Sequence, residues 1–183
     1  MEPAGINSAS VTNRSAVVEE VKNTENPVIQ AVAEKDISSA VAVAGHPLHA
    51  MSVHFPIAFV IATLGCDVFL WWSGDSFWER AGLWASGIAF AGGVAAGLIG
   101  SAELLLVPGI RARVASWTHA VAAMTLISIC GMNWGLRLTE AAPVLPNGLL
   151  LSGLATVFTG LAGWHGGKLV FDHGVGLMIS EKE

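Results

Sequence analysis

Four long stretches of the sequence contain almost no charged residues, and each is about as long as a membrane-spanning helix. They cover residues 50–72, 81–107, 114–136 and 148–171. A helix needs roughly 20 apolar residues to cross the hydrocarbon core of a bilayer. Charged residues make up only 13% of the chain, against about 25% in a typical soluble domain. Because the connections are short, the pattern predicts an all-α membrane protein whose four transmembrane helices form an up-down-up-down bundle.

The four stretches define one transmembrane domain, residues 46–178, with a tail on either side. Residues 1–45 are polar and are predicted to be mostly flexible, because their apolar content is too low to build a core. Residues 179–183 form a short C-terminal tail. Lysine and arginine are slightly more numerous on the side that holds both termini, which predicts that both termini are cytoplasmic.

The six histidines are the most informative polar residues. In an antiparallel bundle, the start of the first and third helices and the end of the fourth lie at one membrane face. All the histidines fall at those three places, so we expect them in the cytoplasmic half of the bundle. They are His46, His49, His54, His119, His165 and His173.

Imidazole is a common ligand of haem iron and of transition metals. Facing helices of a bundle can supply two histidines at one depth to a b-type haem. The candidate haem ligands are His54, His119, His173 and His49, with His54 and His119 expected to be the deeper pair. A metal site of His54, His119, His173 and Glu103 is the alternative. The other interpretation is that these residues are solvated or hydrogen-bonded at the membrane interface and bind no cofactor.

Two acidic residues fall inside predicted spans, where an unpaired charge is costly. Glu103 lies near the end of the second span, at the level of the histidines. Asp67 lies 13 residues after His54, about 20 Å along a helix axis, so it is too far away to join a histidine site. We expect Asp67 to pair with Arg80 or Arg137, and the alternative is a role on a proton path.

Several other functions find no support in the sequence. The chain has no basic stripe, so we expect no nucleic-acid partner. Cys66 and Cys130 form no CxxC or CxxCH motif, and no Ser-His-Asp arrangement or phosphate-binding loop is present. We therefore predict no catalytic residues and expect that the chain is not an enzyme by itself. A close Gly93–Gly97 pair in the second span favours helix packing within the bundle over a dimer contact.

Two end motifs are similar to those of a known family. Residues 45–49 read GHPLH, residues 53–57 read VHFPI, and residues 166–176 read GGKLVFDHGVG. With His119-Ala120, these resemble the bacterial membrane-protein family called domain of unknown function 2231, over residues 45–178. Ala50 stands where many members have proline, and His165 is outside the family's pattern. The resemblance implies a four-helix membrane fold and a location in the bacterial inner membrane, but no function.

The leading functional hypothesis is an electron-transfer subunit that holds haem b and exchanges electrons with a quinone or a redox partner protein. The resemblance favours this hypothesis, since some relatives are joined to Rieske or cytochrome c domains. A second hypothesis is a cofactor-free structural or assembly subunit of a larger membrane complex. A third is a transporter of a metal ion or protons, which requires a homo-oligomer because one four-helix bundle encloses little space. Membrane lipid is a partner under all three hypotheses.

Overall fold

The computed structural model describes residues 37–44, 46–139 and 143–176. Within these residues, two short strands, β1 (Ala42–Val43) and β2 (His46–Pro47), precede six helices. The helices are α1 (Leu48–Ser52), α2 (His54–Ser73), α3 (Ser76–Leu106), α4 (Pro108–Arg111), α5 (Val114–Leu138) and α6 (Asn147–Phe171). Four helical segments are long and apolar enough to cross a membrane, namely α1 with α2, α3, α5 and α6. The predicted all-α membrane fold with four spans is confirmed.

The ends of the helices follow from local sequence signals. α2 ends at Gly74, which adopts a left-handed conformation (φ 66°) and donates its N–H to the Leu70 carbonyl, as glycine does after many helices. α3 begins at Ser76, ahead of the predicted span, because the Asp75 carboxylate accepts a hydrogen bond from the Phe77 N–H and caps the helix. The other span boundaries lie close to the predicted ones.

The four long helices are arranged in a ring. α2 packs against α3 and α6, and α5 also packs against α3 and α6. The two diagonals of the ring are therefore α2 with α5 and α3 with α6. His49 at the start of α1 contacts Gly100 near the end of α3, whereas Cys66 near the end of α2 faces Gly82 near the start of α3. The first two spans consequently run in opposite directions.

The interior of the ring is built from small and medium-sized residues. One buried cluster comprises Val60, Ala89, Ile129, Cys130 and Ala155. Gly93 and Gly97 both face the Ile127 side chain of α5, so this small-residue pair serves packing inside the bundle, as predicted. Many large apolar side chains point outward, including Trp71, Trp72, Trp84 and Trp164. Such an apolar outer surface is suited to lipid.

Residues 37–44, which we call the N-terminal strap, pack against the histidine end of the bundle. Ile37 is buried, and its carbonyl accepts a hydrogen bond from the Gly176 N–H. β1 and β2 pair in antiparallel fashion, and the Leu48 N–H donates to the Val41 carbonyl. The strap belongs to the tail that was predicted to be mostly flexible. The rest of that tail, residues 1–36, and the C-terminal tail, residues 179–183, lie outside the described residues.

Candidate functional site

Two of the predicted ligands, His49 and His119, meet between the helices near one end of the bundle. Their ring centroids are 6.1 Å apart, with the ring planes at 78°. His49 comes from the first span and His119 from the third, which lie diagonally across the ring of helices. Both side chains are half-buried. The bundle thus brings two imidazoles together from opposite helices at one depth.

Each of these imidazoles is oriented by a carbonyl of the neighbouring helix. His49 Nδ1 donates to the Ala96 carbonyl at 2.9 Å, and His119 Nδ1 donates to the Ala162 carbonyl at 3.0 Å. A carbonyl only accepts, so Nδ1 carries a proton, and in a neutral ring the lone pair would then lie on Nε2. Histidines that bind metals commonly have this arrangement, in which a backbone carbonyl holds the other ring nitrogen.

Glycines make room for both rings. A Cβ atom at Gly100 would lie 2.6 Å from His49 Cε1, and a Cβ atom at Gly166 would lie 3.1 Å from His119 Cε1. A larger residue at Gly100 would therefore displace the His49 imidazole, whereas one at Gly166 would be in tight contact with His119. These glycines carry no chemistry themselves, and only their contacts in the folded bundle identify them as part of the site.

The other four histidines have different surroundings. His54 is exposed, and its Nδ1 donates to the Met51 carbonyl of the preceding turn at 3.2 Å. His173 is half-buried in the turn that follows α6. His46 is exposed and its Nδ1 donates to the Ala44 carbonyl, while His165 is half-buried in α6. The deep pair is thus His49 with His119, and the predicted ligand roles of His54 and His173 stay predictions.

Glu103 binds the N-terminal strap. Its carboxylate accepts hydrogen bonds from the Ser39 hydroxyl, the Ala40 N–H at 3.1 Å and the Val41 N–H at 2.9 Å. These donors occupy both oxygens, so Glu103 already has a role that requires no metal. Among the residues that the structure describes, no three His, Cys, Asp or Glu side chains lie close enough together to hold a metal ion.

Asp67 forms a buried ion pair with Arg137 of α5, one of its two predicted partners. Arg137 Nη2 donates to both carboxylate oxygens, at 2.8 and 2.7 Å, and the side chains are 1% (Arg137) and 0% (Asp67) exposed. Arg137 Nε also donates to Asn133 Oδ1 at 3.1 Å. A Cβ atom at Gly82 would lie 2.7 Å from Nη1, so the guanidinium packs directly against that helix backbone. The sequence offered no specific signal for Asn133 or Gly82.

The described region therefore has two polar pairs on the same two spans, the imidazoles at one end and the ion pair towards the other. A family model for predicted membrane proteins, DUF2231, matches residues 45–178. The chain belongs to the DUF2231 family. The match includes all four spans and both polar pairs of this DUF2231 protein, and it confirms the resemblance found in the sequence. No curated protein and no solved structure matches the chain.

Proposed function

We propose that this DUF2231 protein is a membrane electron carrier that holds a haem b between His49 and His119. The observation that supports the proposal is the meeting of two imidazoles from diagonal helices. Each Nδ1–H donates a hydrogen bond to a carbonyl, so that Nε2 of the neutral ring would be the atom that binds the iron. Held by these two residues, a haem would supply one-electron redox chemistry.

The number of ligands favours haem over a bare metal ion. A structural zinc site requires four protein ligands, and a catalytic zinc site requires three. A haem would need only two ligands from the protein. The pair of His49 and His119 meets that requirement without a contribution from Glu103, whose oxygens hold the strap.

The spacing of the two rings also suits a shared metal. The ring centroids are 6.1 Å apart, so His49 and His119 are close enough to hold one metal ion together. The electron donor or acceptor would be a quinone in the bilayer or a redox protein at its surface.

A second candidate function is a structural subunit without a cofactor. The buried pair of Asp67 and Arg137 favours this alternative, because it joins two diagonal helices with no ligand. In that case the histidines serve only to tie neighbouring helices together through the Ala96 and Ala162 carbonyls.

The deciding experiment is an absorption spectrum of the detergent-purified protein, before and after reduction with dithionite, from cells well supplied with haem. We expect sharp reduced bands of b-type haem that disappear in both His49→Ala and His119→Ala. His54→Ala is the matched control, because His54 is exposed and bonds to its own preceding turn, and it should keep the bands. A colourless wild-type protein, or bands that persist in both pair variants, would contradict the proposal.

A further inference from the structure

Helices α3 and α6 repeat one sequence pattern. Residues 82–100 read GLWASGIAFAGGVAAGLIG and residues 148–166 read GLLLSGLATVFTGLAGWHG. When these two segments are aligned without a gap, Gly82 on Gly148, eight positions are identical. Several of the identical positions have a role in the structure, because they include the glycines and alanines that contact the two polar pairs.

The aligned residues of α3 and α6 have matching roles. Ala96 aligns with Ala162, and these two residues accept the Nδ1 hydrogen bonds of the two central histidines. Gly100 aligns with Gly166, and these glycines face the same two rings. At the other end of the helices, the aligned Gly82 and Gly148 both approach the Arg137 guanidinium.

The first and third spans are also equivalent. The alignment that places His49 on His119 also places Asp67 on Arg137, again without a gap. In each span the two polar residues are therefore about five turns of 3.6 residues apart, so both project from one face of the helix. His49 of the first span meets His119 of the third, and 18 residues further along each span Asp67 meets Arg137. The first and third spans therefore run in the same direction.

A small cavity of about 10 Å³ lies between the two polar pairs. Its lining consists entirely of residues that these two alignments pair with each other. Thr63 pairs with Asn133 and Val60 with Cys130 between the first and third spans, while Ser86 pairs with Ser152 and Ala89 with Ala155 between α3 and α6. Every residue around the cavity therefore has its counterpart on the opposite side.

We infer that the chain is a tandem repeat of one helical hairpin. The first hairpin, α1–α3, and the second hairpin, α5–α6, are related by a two-fold axis along the bundle. The Asp67–Arg137 pair makes the first hairpin associate with the second and not with another copy of itself. Parallel repeats about an axis along the membrane normal occur in other membrane proteins. Here the axis passes between the imidazoles, through the cavity and between the charged residues.

The ion pair is the place where the two hairpins differ most in charge. Pairing two first hairpins about this axis would place Asp67 against a second Asp67, and pairing two second hairpins would place Arg137 against a second Arg137. Like charges in a water-poor interior repel strongly, so both associations are disfavoured. The histidine pair does not favour one association of hairpins over another, because both hairpins supply a histidine at this position. The interaction surface of the first hairpin therefore fits the second hairpin of the chain and rejects a second copy of itself.

A two-fold axis predicts that the charges can be exchanged. Both hairpins carry the glycine that approaches the guanidinium, Gly82 in one and Gly148 in the other. Thr63 occupies the position equivalent to Asn133, which holds Arg137 Nε, and its hydroxyl oxygen can accept a hydrogen bond. An arginine at position 67 would therefore find the same kind of surroundings that Arg137 has now.

The test compares the full-length single variants Asp67→Arg and Arg137→Asp with the double variant that carries both changes. Purified yield, monodispersity and the thermal unfolding midpoint in detergent are measured for each. We expect both single variants to lose most of the folded protein and the double variant to recover most of it. A quadruple variant adds Thr63→Asn and Asn133→Thr, so that the whole environment of the pair is exchanged, and it should be at least as stable as the double variant. The inference is overturned if neither the double nor the quadruple variant is better than the single variants.

Discussion

Arg137 Nη2 donates to both carboxylate oxygens of Asp67, at 2.8 and 2.7 Å, although the two residues lie far apart in the chain. The contact joins the diagonal helices α2 and α5 near the end of the bundle remote from the histidines. Within the described residues, Arg137 Nη1 is buried without a hydrogen-bond partner. The guanidinium is held in place by hydrogen bonds to Asp67 and Asn133 and by its packing against Gly82.

Removing one member of this pair should destabilise the bundle strongly. Arg137→Met leaves the Asp67 carboxylate buried and unpaired, which typically costs about 3–5 kcal/mol. Replacing both charges, as in Asp67→Leu with Arg137→Met, should restore most of that stability, because no buried charge is left unpaired. Unfolding in detergent measures the difference. Arg80→Met is the control, since Arg80 is exposed; an Arg137→Met variant as stable as this control would refute the role of the pair.

The close packing around the Arg137 guanidinium predicts that alanine substitutions at two glycines have opposite effects on stability. A Cβ atom at Gly82 would lie 2.7 Å from Arg137 Nη1, so Gly82→Ala should cost about 1–3 kcal/mol through overpacking. Nothing lies within 4 Å of a Cβ atom at Gly153, so Gly153→Ala should stabilise its helix by up to about 1 kcal/mol. Thermal unfolding of both variants is the measurement. A Gly82→Ala variant at least as stable as the wild-type protein would show that the contact at Gly82 is unimportant.

The glycines beside the imidazoles predict an effect on cofactor binding. Gly100→Ala would place a methyl group 2.6 Å from His49 Cε1 and so displace a proposed haem ligand. Loss of the groups that orient a ligand typically lowers metal affinity about 10–100-fold, and we expect a loss of that order in haem retention. Gly167→Ala, which meets nothing within 4 Å, is the control. Equal haem retention in the two variants would argue against His49 as a ligand.

The hydrogen bonds of Glu103 predict how the N-terminal strap is held. Glu103→Ala removes the acceptor of the Ala40 and Val41 N–H groups and of the Ser39 hydroxyl. These two amides should then exchange hydrogen much faster, because a strap without this anchor opens more often. Mass-spectrometric hydrogen exchange on the detergent-solubilised protein detects the change. Glu79→Ala, at an exposed position of α3, should leave exchange in the strap unchanged, and unchanged exchange in Glu103→Ala itself would contradict the assignment.

The four spans were predictable from sequence because lipid imposes one simple requirement, a helix of sufficient apolar length. The partner of Asp67 was predictable in part, since few basic residues lie at its depth and a buried charge needs one. The identity of the deeper histidine pair was harder to predict. His54 follows His49 by five residues, so on a regular helix its side chain points about 140° away from that of His49. The predicted depth of a residue in the membrane does not reveal this difference in direction.

The role of Glu103 depends on a contact with the N-terminal strap. The strap supplies three hydrogen-bond donors to the carboxylate. No composition or periodicity rule predicts such a contact. The hairpin repeat, by contrast, was present in the sequence. Its identical positions are mostly glycine and alanine, which carry little information in membrane helices, where glycine is frequent. The equivalent hydrogen bonds of Ala96 and Ala162 to the two histidines distinguish the repeat from a chance similarity of small residues.

We propose that His49 and His119 together hold one haem, and the amount of haem b per chain tests this directly. It is determined from the absorption of the extracted haem and the protein concentration, for protein purified from cells well supplied with haem. We expect one haem per chain in the wild-type protein and in His54→Ala, and almost none in His49→Ala. A wild-type protein that is folded, monodisperse and free of haem would contradict it.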